Sequence, residues 1–230
     1  MKAITLGKYK TLKDIEAPSR NYTNRIGELR NSTRILIIDN DDLELIETLR
    51  ANSYNIKFMR DIAAIEIARD YKIVMCDIYD VGINLNPSLH GAHVIREMKK
   101  AYPYKPVVAY SSGVQQNREM YATAIREADN FIQKDAPVED WMNILDQLVL
   151  DVSDPIRIWT RTRTYLLEAG MSPLELARAE DKFVREVERD PSKAASVIGL
   201  LGKSIKADEL IIKILVEIGI SLVAGAVSAT

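Results

Sequence analysis

Residues 34–42 read RILIIDNDD, and the order of those letters decides the fold. Ile35 to Ile38 is an unbroken run of branched apolar side chains with no polar alternation. A strand of that kind needs cover on both faces, which points to a parallel sheet flanked by helices rather than to an antiparallel sheet with one wet face. The acidic knot Asp39, Asn40, Asp41, Asp42 follows at once, at the strand's carboxyl end. Outward from this stretch the alternation continues. LELIETLRANS spaces Leu43, Ile46 and Leu49 along a helix face, and NIKFMR then reads as a second strand. DIAAIEIARDY is expected to be helical, KIVMCD is another buried strand, HGAHVIREMKKAY a helix, KPVVAYSS a fourth strand and NREMYATAIREA a helix. DNFIQK makes a short fifth strand, and VEDWMNILDQLVLDV a helix with Trp141, Ile144, Leu145 and Leu148 on one side. The expected fold class is therefore α/β, a (βα)5 doubly wound parallel sheet. Right-handed crossovers place the working residues of such a sheet at the carboxyl ends of its strands. Those ends carry Asp39 to Asp42, Asp77, Ser111 with Ser112, and Lys134.

Composition narrows the function classes. The chain has 230 residues, 47% of them hydrophobic, enough for a real core, and a formal net charge of −2. That balance does not suit a general polyanion binder, so no nucleic-acid partner is expected. Residues 1–30 carry seven basic and three acidic groups, residues 31–150 thirteen and eighteen, and residues 151–230 eleven and twelve, so only the first thirty are basic. Cys76 is the one cysteine, which rules out an intrachain disulfide and favours a reducing, cytoplasmic setting. It reads as a core side chain. The stretch MKAITLGKYKTLKDIE gathers no apolar run of the kind a signal peptide needs. His90 and His93 read as structural, since no zinc-ligand spacing accompanies them. There is no Gly-rich phosphate loop and no nucleophile elbow, so any catalysis would be self-directed.

The segments IIDND, MCDIYDVG, AYSSG and ADNFIQK resemble, in order and strand position, those of a response-regulator receiver domain of two-component signalling. The resemblance covers about half the chain, and it implies a flavodoxin-like receiver over 34–150 that takes part in a phosphorelay. By resemblance Asp77 is the phosphoacceptor and becomes a phosphoprotein's acyl phosphate. Asp39, Asp41, Asp77 and the backbone carbonyl of Tyr79 would be the magnesium ligands, a hard oxygen set suited to Mg2+. Ser111 and Lys134 would contact the phosphoryl group, and Ser111 with Phe131 would form the switch. The implied partner is a histidine kinase or phosphotransfer protein. Asn40, Asp135 and Val81 depart from the family's pattern, and YDVGINLNPSLH makes a longer loop than usual after Asp77, long enough to cover the site.

Residues 1–33 read as an N-terminal extension and 151–230 as a wholly helical output or oligomerisation region. DPIRIWTRTRTYLLEAG begins with Pro155 in its first turn and ends at Gly170. Ser172, Pro173 and Glu175 spell a capping box that opens PLELARAEDKFVREVERD, stopped by Pro191. A final helix from about Ala207 is apolar almost all round except for Lys213, Glu217 and Ser221. Its uncharged run, Ile218 to Thr230, is thirteen residues, short of a membrane span. Burial in protein, with homo-oligomers formed through the C-terminal helices, is the favoured reading. Three functions follow: a phosphorelay protein signalling through its helices to a protein partner, a pseudo-receiver scaffold that binds without phosphorylation, and a receiver-controlled effector that contacts membranes through the last helix.

Overall fold

The computed structural model describes residues 9–14, 22–112, 118–168 and 170–189 of the chain. These fall into two compact units, one of Asn21–Ser153 and one of Met1–Arg20 with Asp154–Thr230.

In the first unit a short helix, α1 (Ile26–Ser32), precedes strand β1 (Arg34–Ile38), helix α2 (Leu45–Ala51) and strand β2 (Asn55–Met59). After a 3-10 helix over Ile65–Asp70 come β3 (Ile73–Asp77), α3 (His90–Ala101), β4 (Val107–Ser111), α4 (Arg118–Glu127), β5 (Asn130–Gln133) and α5 (Val138–Ser153). All five strands are parallel, in the order β2-β1-β3-β4-β5. That order, with its switch point between β1 and β3, is the flavodoxin-like doubly wound arrangement expected from the sequence.

Because successive strand side chains point to opposite faces, each buried strand feeds two cores. Leu36, Ile38, Val74, Cys76, Val107 and Ala109 meet Ile95, Met98 and Ala124 on one face. Ile35, Ile37, Ile73, Met75, Val108 and Tyr110 meet Ile46, Leu49, Trp141, Leu145 and Leu148 on the other. Fully burying a large apolar side chain stabilises the fold by roughly 1.5–3 kcal/mol, so this alternation holds the sheet in one register. Ile144, read as part of the buried face of α5, is only half-buried.

Two local expectations change. DIAAIEIARDY does not form an α-helix: Ala64 is extended (φ −155°), and only the 3-10 segment Ile65–Asp70 winds. The carbonyls of Ala68 and Arg69 accept hydrogen bonds from the buried Lys105 ammonium, which takes the place of further helical partners. Second, α1 lies ahead of the sequence-based start at residue 34 yet packs with this unit. The Arg30 guanidinium makes two hydrogen bonds to Asp146 of α5, at 2.7 and 2.6 Å, and Tyr54 donates to the same carboxylate at 2.6 Å. Burial, with the adjacent Asp146 charge, pushes the Tyr54 phenol well above its ordinary range, so it stays a donor.

The second unit contains α6 (Pro155–Glu168) and α7 (Pro173–Arg189), which bury Trp159, Leu166, Leu176, Phe183 and Val184. Gly170 between them adopts φ +92°, the left-handed turn that suits glycine after a helix end. Ser172 caps α7 as read: its hydroxyl accepts from the Leu174 amide at 3.3 Å, and Glu175 accepts from the Ser172 amide at 3.2 Å. The N-terminal segment docks here too. Leu12 is buried, and the amides of Lys10 and Leu12 donate to Asp181 and Glu180. Pro191 and the final apolar helix lie outside the described residues. Among the described residues no helix is long and apolar enough to cross a membrane.

Candidate functional site

The register of the sheet sets the site. Ile38 pairs with Cys76, Asp77 with Tyr110, and Ser111 with Gln133, so Asp39, Asp77, Ser111 and Lys134 leave neighbouring strands at one edge. Backbone and core contacts lock each position. The Asp39 amide donates to the Met59 carbonyl at 3.0 Å, the Lys134 amide to the Ser111 carbonyl at 2.7 Å, and the buried Tyr110 hydroxyl to the Ile38 carbonyl at 3.0 Å.

At the centre stands the Lys134 ammonium. It donates to Asp39 Oδ1 at 2.9 Å, to Asp41 Oδ2 at 2.9 Å and to Asp77 Oδ2 at 3.2 Å. Asp39 is completely buried and Asp77 is 5% exposed, whereas Asp41 is exposed and hydrogen-bonds its amide to Asp39 Oδ1 at 2.8 Å. Three carboxylates thus share one ammonium, and the cluster is short of positive charge. Burial, joined by the negative charge of Asp39, pushes the Asp77 carboxyl up to about 6 against the opposing pull of Lys134. Burial alone would lower Lys134, but hydrogen bonds to Asp41 and Asp39 and the nearby Asp77 charge override it and raise the ammonium well above its ordinary range.

Two buried polar atoms here have no hydrogen-bond partner, Asp39 Oδ2 and Ser111 Oγ. Unpaired groups in a dry interior are costly and mark places where a ligand would be stabilised. Among the described residues no three His, Cys, Asp or Glu side chains are grouped as a metal site; the carboxylates converge instead on an ammonium. Their chemistry still fits a hard dication: the donors are all oxygens, two of the carboxylates are buried, and Asp39 Oδ2 is unpartnered.

Asp77 Oδ1 accepts the Tyr79 amide at 3.4 Å, and Tyr79 itself is half-buried. Gly91, at the start of α3, is pressed against the acceptor strand: a Cβ there would fall 1.8 Å from the Asp77 carbonyl oxygen. In the long loop between them Val81 is fully buried, while Ile83 is 41% exposed. Phe131, beside the site on β5, is half-buried and meets the Tyr121 ring edge-on at 5.5 Å. Asn40 faces Asp41, and Arg60 donates to the Asn40 carbonyl at 2.8 Å and to Asp42 at 2.6 Å. The histidines hold structure. His90 Nδ1 accepts the Asp80 amide at 3.2 Å, with Nε2 3.1 Å from the Pro87 carbonyl, and His93 pairs with Arg96. Cys76 is wholly buried, and burial, then the charges of Asp77, Asp39 and Asp61, push its thiol up, so it stays protonated.

One residue at this edge was not singled out from the sequence. Asp61, just past β2, accepts the Ile62 amide at 2.8 Å and the Gly82 amide at 2.5 Å, tying the end of β2 to the loop after Asp77. Its position after a strand was the available signal, but the expected helix over 61–71 hid it.

No protein-family model and no curated protein matches the chain. Solved structures do. The chain is similar to the receiver domain of NtrX from Brucella abortus, with 24% identity over 50% of this chain and 97% of that one, at a TM-score of 0.41. It is similar to the chemotaxis protein CheY4 from Vibrio cholerae, with 14% identity over 50% of this chain and 98% of that one, TM-score 0.41. It is also similar to a CheY-like response-regulator receiver domain protein from Methanospirillum hungatei, with 17% identity over 51% of this chain and 93% of that one, TM-score 0.41.

Proposed function

We propose that Asn21–Ser153 is the receiver unit of a phosphorelay response regulator and that Asp77 accepts a phosphoryl group from a histidine kinase, a phosphotransfer protein or a small phosphodonor. The observation that carries this reading is the Lys134 ammonium at 3.2 Å from Asp77, with the orphaned hydroxyl of Ser111 buried at the same edge. An Asp77 oxygen attacks phosphorus, the bond from phosphorus to the donor breaks, and the donor leaves with the bonding pair. A carboxylate is a weak nucleophile, and its raised pKa, about 6, makes it more basic while leaving it mostly ionised at neutral pH. Lys134 and Ser111 donate hydrogen bonds to the phosphoryl oxygens as their charge redistributes. Magnesium, when bound, would neutralise charge on those oxygens; Asp39, Asp41, Asp77 and the Tyr79 carbonyl are the residues to hold it.

Once Asp77 carries the phosphoryl group as an acyl phosphate, its own oxygens are no longer charged and the phosphoryl oxygens are, and Lys134 is drawn from the carboxylates towards them. Ser111 gains the partner it lacks, and Phe131 takes up the space that this movement vacates. The change is read at the surface around β5 and α5 and passed to the C-terminal helices, which bind a protein partner or a second copy of the chain.

The test compares the wild-type chain with Asp77→Asn in magnesium and beryllofluoride, a stable stand-in for the phosphoryl group, by heat stability and by mass in solution. A gain in stability for the wild type alone supports the reading. The absence of any wild-type response would leave the scaffold reading, which Asn40, Asp135 and the long loop after Asp77 favour.

A further inference from the structure

The backbone after Asp77 makes an unfavourable turn that needs support. Asp80 and His90 are non-glycine residues at φ +55° and +44°, and Gly82 lies at φ +68°. Left-handed conformations cost free energy at non-glycine residues and persist only where neighbouring groups hold them. On the α3 side the holders are His90, which accepts the Asp80 amide, and the Gly91 amide, which donates to the Ile78 carbonyl at 3.1 Å. On the β2 side there is Asp61. One of its oxygens accepts both the Gly82 amide, at 2.5 Å, and its own neighbour's Ile62 amide, at 2.8 Å. Ile62 is 2% exposed and belongs to the core, so the carboxylate is fixed at its base and aims at the loop from a rigid strand end. The short arc between Asp77 and Gly82 carries Tyr79, whose amide is the backbone donor on Asp77 Oδ1.

We propose that Asp61 is a positioning residue for the phosphoacceptor: by holding the Gly82 amide it fixes the arc 78–82, and thereby the Tyr79 backbone, against Asp77. The assignment rests on the reading of Asp77 as acceptor. Asp61 does not itself meet the phosphoryl group or the metal. It acts as an outer hydrogen-bonding partner, of the kind whose loss typically weakens metal affinity or activity by about 10–100-fold. What matters is an oxygen acceptor at this place rather than its charge, so an amide that presents the same oxygen should serve.

The experiment uses the full chain as wild type, Asp61→Ala and Asp61→Asn. Hydrogen exchange of the Gly82 and Tyr79 amides is followed without metal, and beryllofluoride affinity is titrated in magnesium by the shift in heat stability. In Asp61→Ala both amides lose protection and beryllofluoride affinity falls by about ten-fold or more, while the maximal stability shift at saturation is preserved. Asp61→Asn restores protection and affinity to near the wild-type values. The proposal is overturned if Asp61→Ala binds beryllofluoride as tightly as the wild type, or if Asp61→Asn is as impaired as the alanine variant. Should Asp61→Ala fail to fold, the asparagine variant alone decides between an acceptor role and a charge role. A wild-type chain that ignores beryllofluoride would refute the acceptor reading itself, and this assignment with it, a result distinct from a responsive wild type with an unaffected variant.

Discussion

Replacing Asp77 by asparagine should make the chain more stable, and the gain should depend on pH in one direction only. In the folded chain burial and the Asp39 charge raise the Asp77 carboxyl from 3.8 to about 6. Below the ordinary value both folded and unfolded states hold the proton, and Asp77 carries no ionisation penalty. As pH rises through the interval the unfolded chain releases the proton first, so folding loses stability, and the loss is complete above about 6. Converted by linkage, the gap between 3.8 and about 6 is worth about 3 kcal/mol, taken as an upper bound. Lys134 keeps two of its three partners in the variant, Asp39 and Asp41 at 2.9 Å, which limits the compensating loss. Urea unfolding in magnesium-free buffer, followed from pH 4 to pH 8, checks this. The two chains should be near equal in the acid range, with Asp77→Asn ahead by up to about 3 kcal/mol at the alkaline end. A stability difference that does not vary with pH, or a variant less stable than the wild type at pH 8, would refute the electrostatic account of the site.

Lys134→Met removes the ammonium that Asp39, Asp41 and Asp77 share; with Asp39 fully buried, a loss of about 3 kcal/mol at pH 8 is expected, shrinking as the pH falls through about 6 and Asp77 takes up its proton, by the same urea measurement. Gly91→Ala would set a methyl group 1.8 Å from the Asp77 carbonyl, so the end of β3 or the start of α3 must move; a loss of at least about 2 kcal/mol in the urea transition and a weakened beryllofluoride response are expected. Ser172→Ala deletes the side-chain cap of α7 and should cost about 1 kcal/mol, seen as faster amide exchange in its first turn while exchange in the sheet is unchanged.

Much of this architecture was legible because its signals are local. Continuous runs such as Ile35–Ile38 and Val74–Cys76 state that a strand is covered on both faces, and the capping box at Ser172 states where α7 begins. The elements that escaped depend on partners distant in sequence. Ile65–Asp70 has a helix-like composition, yet its carbonyls are taken by Lys105, thirty-six or more positions away. Helix α1 looks like part of a polar extension until Arg30 finds Asp146, 116 positions on. Val81, which departs from the receiver pattern, is fully buried in the core, and the hydrogen bond from Gly82 to Asp61 spans 21 positions with no periodicity to betray it. At the site, residue types at strand ends were readable one by one. That the carboxylates of Asp39, Asp41 and Asp77 meet a single ammonium was a matter of geometry.

As the proposed phosphoacceptor, Asp77 should form an acyl phosphate. The direct measurement incubates the chain with acetyl phosphate and magnesium, traps any acyl phosphate by borohydride reduction, which converts a phosphorylated aspartate to homoserine, and locates the product by peptide mass. Homoserine is expected at position 77, with none when magnesium is chelated and none in Asp77→Asn. Reduction at another carboxylate, or an unmodified Asp77 in an otherwise folded chain, would contradict it.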